Sequence, residues 1–360
     1  MKKHIIICTT IGTTVGNYYE NFAKELSKNE YSIWIVSDKY RIKESTNNIT
    51  YASWPTRRPN TIKSLFFFIK LIIKIQPNIV ISNFGSTFIV TWISYLFGIK
   101  HRINHYHTPS VQMKLDFNSN FIREYLQRVT LSKNTVIIVA SNYVKKDVLE
   151  KYKVDLRKIL VLPFLLERIK GKEVNSKVGG KTIFYPGRLN NSKGQLYFID
   201  NILLELVVIY PDIKVYFNGE GPLENVIKER INDNSLHKNV IIQKPTSYEK
   251  YIENLLACDL ACGFSLSEGF GLVFLEQMAA NVPFITNNIA PMNEFVKNEI
   301  SGFLINLGDE KQAIKYICKI FNDSEYKNNF RLKQNEYFDN FYEVHNNMKK
   351  NTLLFLNFIN

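Results

Sequence analysis

Apolar residues along the chain fall into short, largely β-branched runs. Each is followed by a polar or glycine-bearing loop and then by a stretch of helical composition. His4–Cys8, Tyr31–Ser37, Asn78–Ser82 and Thr135–Ala140 are runs of this kind, suited to strands buried on both faces. Thr9–Gly16 and Asn17–Leu26 supply the first loop and helix; Ser64–Gln76 and Ser141–Tyr152 read as further helices, the last with Ser141 as its N-cap. Arg102–Ser110 predicts a strand ending near His105–Tyr106, with His107–Thr108 passing into a loop. The scheme returns downstream, with strands at Lys181–Tyr185, Lys214–Asn218, Val240–Ile242, within Leu255–Phe264 and at Pro283–Ile285. Helices are expected at Tyr248–Ala257, Gln312–Ile320 and over Glu325–Asn360. This alternation predicts an α/β chain of doubly wound parallel sheets. A length of 360 residues favours two domains. The Lys-, Gly- and Ser-containing stretch before Lys181 is the expected linker, so the divisions are 1–168, a linker over 169–180, and 181–341 followed by 342–360.

An apolar content of 45% is ample for two cores, and the formal net charge of +13 is unevenly placed. Residues 1–170 hold 26 Lys and Arg against 11 Asp and Glu; the remainder hold 20 against 22. An anionic partner is therefore expected for the first half only: a membrane surface with anionic headgroups, a lipid-phosphate acceptor, or nucleic acid. The basic half lacks a recognised nucleic-acid module, which disfavours the last. Ser64–Gln76 (SLFFFIKLIIKIQ) has two open readings, a core-packed helix or a basic, aromatic face against a membrane. No apolar run reaches the length of a membrane span; Phe88–Ile99 comes nearest. The opening MKKHIIICTT imitates a leader, but its apolar run stops at Cys8, so none is expected. Cys8, Cys258, Cys262 and Cys318 show no zinc-like pairing with histidine, and a reducing compartment is expected.

Candidate chemistry concentrates in Ser265–Ala280, SLSEGFGLVFLEQMAA. Glu268 lies on a loop, Gly269–Phe270–Gly271 makes a flexible turn, and Leu272 and Val273 open a helix that carries Glu276 about two turns in. A helix start offers unpaired N–H groups and a positive dipole end to a phosphate, and Glu276 can accept hydrogen bonds from the vicinal hydroxyls of a ribose. Pro186–Gly187–Arg188–Leu189 and Lys193–Gly194 place two cations five residues apart on a strand–loop–helix unit. They can stabilise a departing nucleoside diphosphate, or they are solvated basic residues. The dinucleotide fingerprint G-x-G-x-x-G is absent after the first strand, and Pro222 breaks it at Gly219–Glu220–Gly221, so a nicotinamide dehydrogenase loses its support.

Ser265–Ala280, with its two glutamates eight residues apart, resembles the Glu-x7-Glu signature of the retaining nucleotide-sugar glycosyltransferases of family 4, and the Arg188–Lys193 element resembles that family's GRL…KG. The resemblance implies the GT-B fold: two Rossmann-like domains facing a cleft, with the last helix, 342–360, crossing back to the N-terminal one. It implies that Glu268 lies beside the transferred sugar, that Glu276 binds the ribose, and that Lys244 lies near the nucleobase. It points to His107 as a partner of the sugar, although a purely structural histidine stays open. His105 is expected on the opposite strand face, so that only one of the two enters the cleft. Gly16–Asn17 stands where the family has a Gly-Gly pair near the phosphates, and Pro163–Phe164–Leu165 where it often has Pro-Asn-Gly.

The implied reaction is retaining transfer from a UDP- or GDP-linked sugar to a glycan or lipid-linked acceptor in surface polysaccharide synthesis. It would take place in the cytoplasm, with or without peripheral attachment to the membrane. No cofactor is expected. No metal is expected either, since neither Asp38 nor Asp212 opens an Asp-x-Asp sequence. A sugar-nucleotide epimerase on the same fold and a non-catalytic glycosyltransferase partner are the alternatives.

Overall fold

The computed structural model describes residues 3–10, 12–37, 45–46, 48–117, 121–171 and 181–360. Asp38–Lys39 and, within the expected linker, residues 172–180 lie outside the described residues.

Two all-parallel sheets organise the chain. The first contains β1 (Lys3–Thr9), β2 (Tyr31–Ser37), β3 (Ile49–Ser53), β4 (Ile79–Asn83), β5 (His101–Tyr106), β6 (Val136–Val139) and β7 (Ile159–Val161), in the order β3-β2-β1-β4-β5-β6-β7. The second contains β8 (Thr182–Pro186), β9 (Lys214–Asn218), β10 (Val240–Gln243), β11 (Leu260–Gly263), β12 (Phe284–Asn287) and β13 (Phe303–Ile305), in the order β10-β9-β8-β11-β12-β13. Both are Rossmann-like sheets. In each, the strand order reverses at the centre, between β1 and β4 in the first and between β8 and β11 in the second. The loops at the carboxyl ends part there and leave a crevice in which ligands bind.

The β-branched runs occupy the central strands because both sheet faces are covered. Ile5, Ile6 and Ile7 are fully buried in β1, as are Ile183 in β8 and Leu260, Ala261 and Cys262 in β11. The edge strand β3 was not legible in the sequence, nor was β13, which closes the far edge of the second sheet. The helix Ile62–Ile75 packs as the core reading expected, with Phe68, Leu71, Ile72 and Ile75 buried, and it leaves Ile62, Phe66 and Ile73 exposed on its other side.

The chain forms two compact units, Met1–Ser110 with Ser119–Leu166 and Val344–Asn360, and Val111–Asn118 with Glu167–Glu343. The helical tail breaks at Tyr342–Glu343, between Ser324–Phe341 and Val344–Ile359, and the last helix returns to the first unit. Its buried residues Val344, Met348, Asn351, Thr352, Phe355 and Ile359 recur at helical spacing. Phe355 packs edge-to-face on Phe22 at 5.2 Å, and Asn351 Nδ2 donates to the Pro163 carbonyl at 3.1 Å.

Candidate functional site

The switch point of the second sheet gathers most of the predicted residues. The loop after β8 turns at Gly187 (φ +144°) and again at Gly194 (φ +71°). A Cβ on Gly194 would lie 2.0 Å from the Phe264 carbonyl oxygen, so this close crossing of two loops requires glycine. Tyr185 latches the loops: its hydroxyl donates to the Lys193 carbonyl at 2.6 Å and accepts from the Phe264 amide at 2.7 Å. Lys193, on the loop after β8, consequently meets Glu268, on the loop after β11. Its ammonium donates to Glu268 Oε1, which also accepts from Ser265 Oγ at 2.8 Å. Both side chains are largely buried, with 15% and 7% of their surface exposed.

Gly271 (φ +87°) opens the helix Leu272–Ala279. No side chain caps this helix and no acid stands in its first turn. The amides of Leu272 and Val273 have no intrahelical acceptor by geometry; the first hydrogen bond of the turn is Phe274 N–H to the Gly271 carbonyl, at 3.0 Å. The positive end of the helix is therefore left uncompensated at the crevice. Glu276 sits little more than one turn in, closer to the tip than the expected two. Its carboxylate is buried and accepts from the Tyr251 hydroxyl at 2.6 Å. Burial, and then the Glu276 charge, push the Tyr251 hydroxyl well above its ordinary pKa, so it remains a hydrogen-bond donor. Gly269 is buried, and the ring of Phe270 stacks on Phe295 at 4.8 Å in the core, leaving its backbone to the loop.

Arg188 is exposed beside β8, 3.9 Å from the buried carboxylate of Asp116. Asp116 also accepts from Ser192 N–H at 3.3 Å and Ser192 Oγ at 3.1 Å. Sequence reasoning missed Asp116. It lies on the helix Ser110–Phe117, far from Arg188 in sequence, and nothing around it signals the pairing. Lys244 is exposed just past β10, at the carboxyl edge of the same sheet but at its outer strand.

The switch point of the first sheet holds His107. Asn83, at the end of β4, donates from Nδ2 to the Cys8 carbonyl at 3.0 Å, which turns its Oδ1 to His107 Nε2 at 2.8 Å. This network assigns the proton of His107 to Nε2 and leaves Nδ1 as a free lone pair. Burial pushes the imidazole down to about 3, so it is neutral.

Two expectations are corrected here. His105 and His107 do not part to opposite faces: residues two apart in a strand share a face, and the rings lie 4.2 Å apart. His105 is the deeper of the two, with Nδ1 bonded to the Tyr19 hydroxyl at 2.7 Å. Gly16 is not a free loop residue. The helix starts at Thr14, and the N-cap Thr13 takes the Gly16 amide on its Oγ1 at 3.1 Å, so that amide is not available to a phosphate.

Among the described residues, no helix is long and apolar enough to cross a membrane, and no group of three or more His, Cys, Asp or Glu side chains could hold a metal ion. Residues 15–164 match the family model Glycosyltransferase Family 4, and residues 167–337 match Glycosyl transferases group 1. A UDP-Gal:alpha-D-GlcNAc-diphosphoundecaprenol alpha-1,3-galactosyltransferase of Escherichia coli is 28% identical over 282 residues, 73% of this chain and 71% of its own. CapM of Staphylococcus aureus, a capsular polysaccharide biosynthesis glycosyltransferase, is 26% identical over 83% of this chain and 82% of its own. The crystal structure of Anabaena HepE in complex with UDP and glucose superposes on 99% of both chains, with a TM-score of 0.76 at 14% identity.

Proposed function

The chain belongs to the GT-B glycosyltransferases of the group 1, family 4 type, and from that premise we propose that it transfers a hexose, with retention, from a UDP-sugar to a sugar-diphosphoprenol in surface polysaccharide synthesis. The observation that carries this is the uncapped, acid-free tip of Leu272–Ala279 at the switch point, with Glu276 held one turn behind it by Tyr251. The diphosphate docks on the Leu272 and Val273 amides, and the two ribose hydroxyls donate to Glu276. The galactosyltransferase of Escherichia coli is named for UDP-Gal and a diphosphoundecaprenol acceptor, and this supports the same pair of substrate classes here. A GDP-linked sugar is the competing donor class.

In the transfer step the bond from C1 to the diphosphate oxygen breaks, and a bond from C1 to the acceptor oxygen forms on the same face. The acceptor proton passes to the departing phosphate oxygen. Negative charge then grows on the diphosphate, where Arg188, Lys193 and the helix tip oppose it without a metal. The incoming diphosphate competes with Glu268 for Lys193, and Glu268, so released, lies against the sugar. His107 offers a neutral imidazole whose Nδ1 accepts from a hydroxyl, and its role toward the sugar rests on the family resemblance. The four cysteines are free thiols, which supports action in a reducing compartment.

Incubating the protein with UDP-galactose, UDP-glucose or GDP-mannose and a synthetic GlcNAc-diphosphoprenol tests this reading. The expected product carries an α-linked hexose, read by the anomeric proton coupling. A β-linkage removes retention. An isomerised sugar nucleotide formed without acceptor replaces the transferase by an epimerase.

A further inference from the structure

We propose that Asp116 is a positioning residue of the donor site, acting through Arg188 and through the turn that carries Lys193. The assignment rests on the reading above, in which Arg188 and Lys193 oppose the charge that grows on the departing diphosphate. Asp116 lies on the helix Ser110–Phe117, between β5 and β6 in the chain, yet Val111–Asn118 belongs to the second unit. Its side chain is only 1% exposed. Burying a carboxylate is costly unless donors and an opposite charge meet it. Ser192 supplies two donors, its amide to Oδ1 at 3.3 Å and its hydroxyl to Oδ2 at 3.1 Å. Arg188 brings the charge, with Nη2 3.9 Å from Oδ2. A further tie runs alongside, from Asn191 Nδ2 to the Leu115 carbonyl at 3.4 Å.

These contacts fall on the backbone that presents both cations. Asn191–Lys193 is one tight turn, and Asp116 holds its middle residue. The Ser192 carbonyl accepts from Leu266 N–H at 2.8 Å, which joins the turn to the loop bearing Glu268. Fixing Ser192 therefore fixes the main chain of Lys193, the next residue. The main chain of Arg188 is held separately, since Gln195 Nε2 donates to its carbonyl at 3.0 Å. Its side chain is 56% exposed, and a long exposed side chain loses rotamer freedom when it must meet a ligand in one geometry. A buried, immobile carboxylate beside the guanidinium restricts that freedom beforehand. Cations set in place before the reaction are the ones that lower its barrier.

Asp116→Asn separates the charge from the clamp. The amide oxygen replaces Oδ1 for the Ser192 amide. The new NH2 stands where Oδ2 was and donates to Ser192 Oγ, whose own hydrogen turns to Asn190 Oδ1, 3.3 Å away. The turn keeps its hydrogen bonds, and Arg188 faces a donor in place of an anion. The test is transfer kinetics with the donor varied, for the wild type, Asp116→Asn, Arg188→Gln and the double variant, beside their melting curves. Asp116→Asn is expected to lower kcat about tenfold, while the donor KM moves less than about twofold, because the charge that Arg188 opposes is greatest in the transition state. On Arg188→Gln the same change should cost nothing further, since the group it acts through is gone. Wild-type kcat in Asp116→Asn overturns the assignment, and so does an undiminished loss on Arg188→Gln. A variant that loses its fold or its stability without the split between kcat and KM makes Asp116 a structural residue only and overturns it too. A wild type that transfers from no sugar nucleotide removes the reading of the site and this assignment with it. An active wild type beside an unaffected Asp116→Asn removes this assignment alone.

Discussion

Replacing Lys193 by methionine keeps the length of the side chain and removes the ammonium from Glu268. The carboxylate, 7% exposed, then retains Ser265 Oγ as its remaining partner among the hydrogen bonds described above. Stranding one member of a buried pair costs about 3–5 kcal/mol. The surviving hydroxyl bond and the 15% exposure of the lysine place this case at or below the lower end, about 2–3 kcal/mol. For a unit of this size that corresponds to a fall in melting temperature of roughly 5–10 °C. The double variant Lys193→Met with Glu268→Gln removes the stranded charge while keeping an acceptor for Ser265. It should recover most of the loss, a coupling of about 2 kcal/mol. Urea denaturation of the wild type, both single variants and the double variant measures the cycle. A Lys193→Met protein as stable as the wild type, or a double variant destabilised by the sum of the singles, refutes a buried ion pair at the switch point.

Tyr251→Phe should weaken binding of UDP about tenfold by calorimetry, because Glu276 loses the hydroxyl that orients it, a bond worth about 1.5 kcal/mol. Gly271→Ala should lower stability by about 2 kcal/mol in the same denaturation assay. A side chain at φ +87° is strained, and its Cβ would sit 2.3 Å from the Met292 Cε. The His107 imidazole is held down to about 3 by burial, whereas in the unfolded chain it titrates near 6.5. As pH falls below about 6.5 the unfolded state therefore takes up a proton that the folded state refuses, and stability drops until about pH 3. His107→Gln should accordingly unfold at lower pH than the wild type in an acid titration followed by circular dichroism.

What was legible in the sequence was local. Ser265–Ala280 announces itself because a glycine turn and a run of helix formers sit side by side, and the strands of both sheet centres show as unbroken apolar runs. The pairings between loops were not legible. Lys193 reaches Glu268 across 75 residues, through a crossing of two loops of the second sheet, and Asp116 reaches Ser192 across 76 from the helix Ser110–Phe117. The placement of His105 was misjudged although the strand period alone decides it, and the Thr13 cap that occupies the Gly16 amide was visible as a threonine three residues upstream. The edge strand Ile49–Ser53 packs less tightly than the central ones, and its weak apolar pattern follows from that.

The central claim is that Glu276 holds the ribose of a diphosphate docked on the helix tip. Calorimetric titration of wild type and Glu276→Ala with UDP and with its 2′,3′-dideoxy analogue tests it most directly. With UDP, losing the carboxylate should weaken binding by at least about tenfold, the worth of a charge-assisted hydrogen bond; with the analogue, the two proteins should bind alike. An equal penalty for both nucleotides, or none for UDP, would contradict the account.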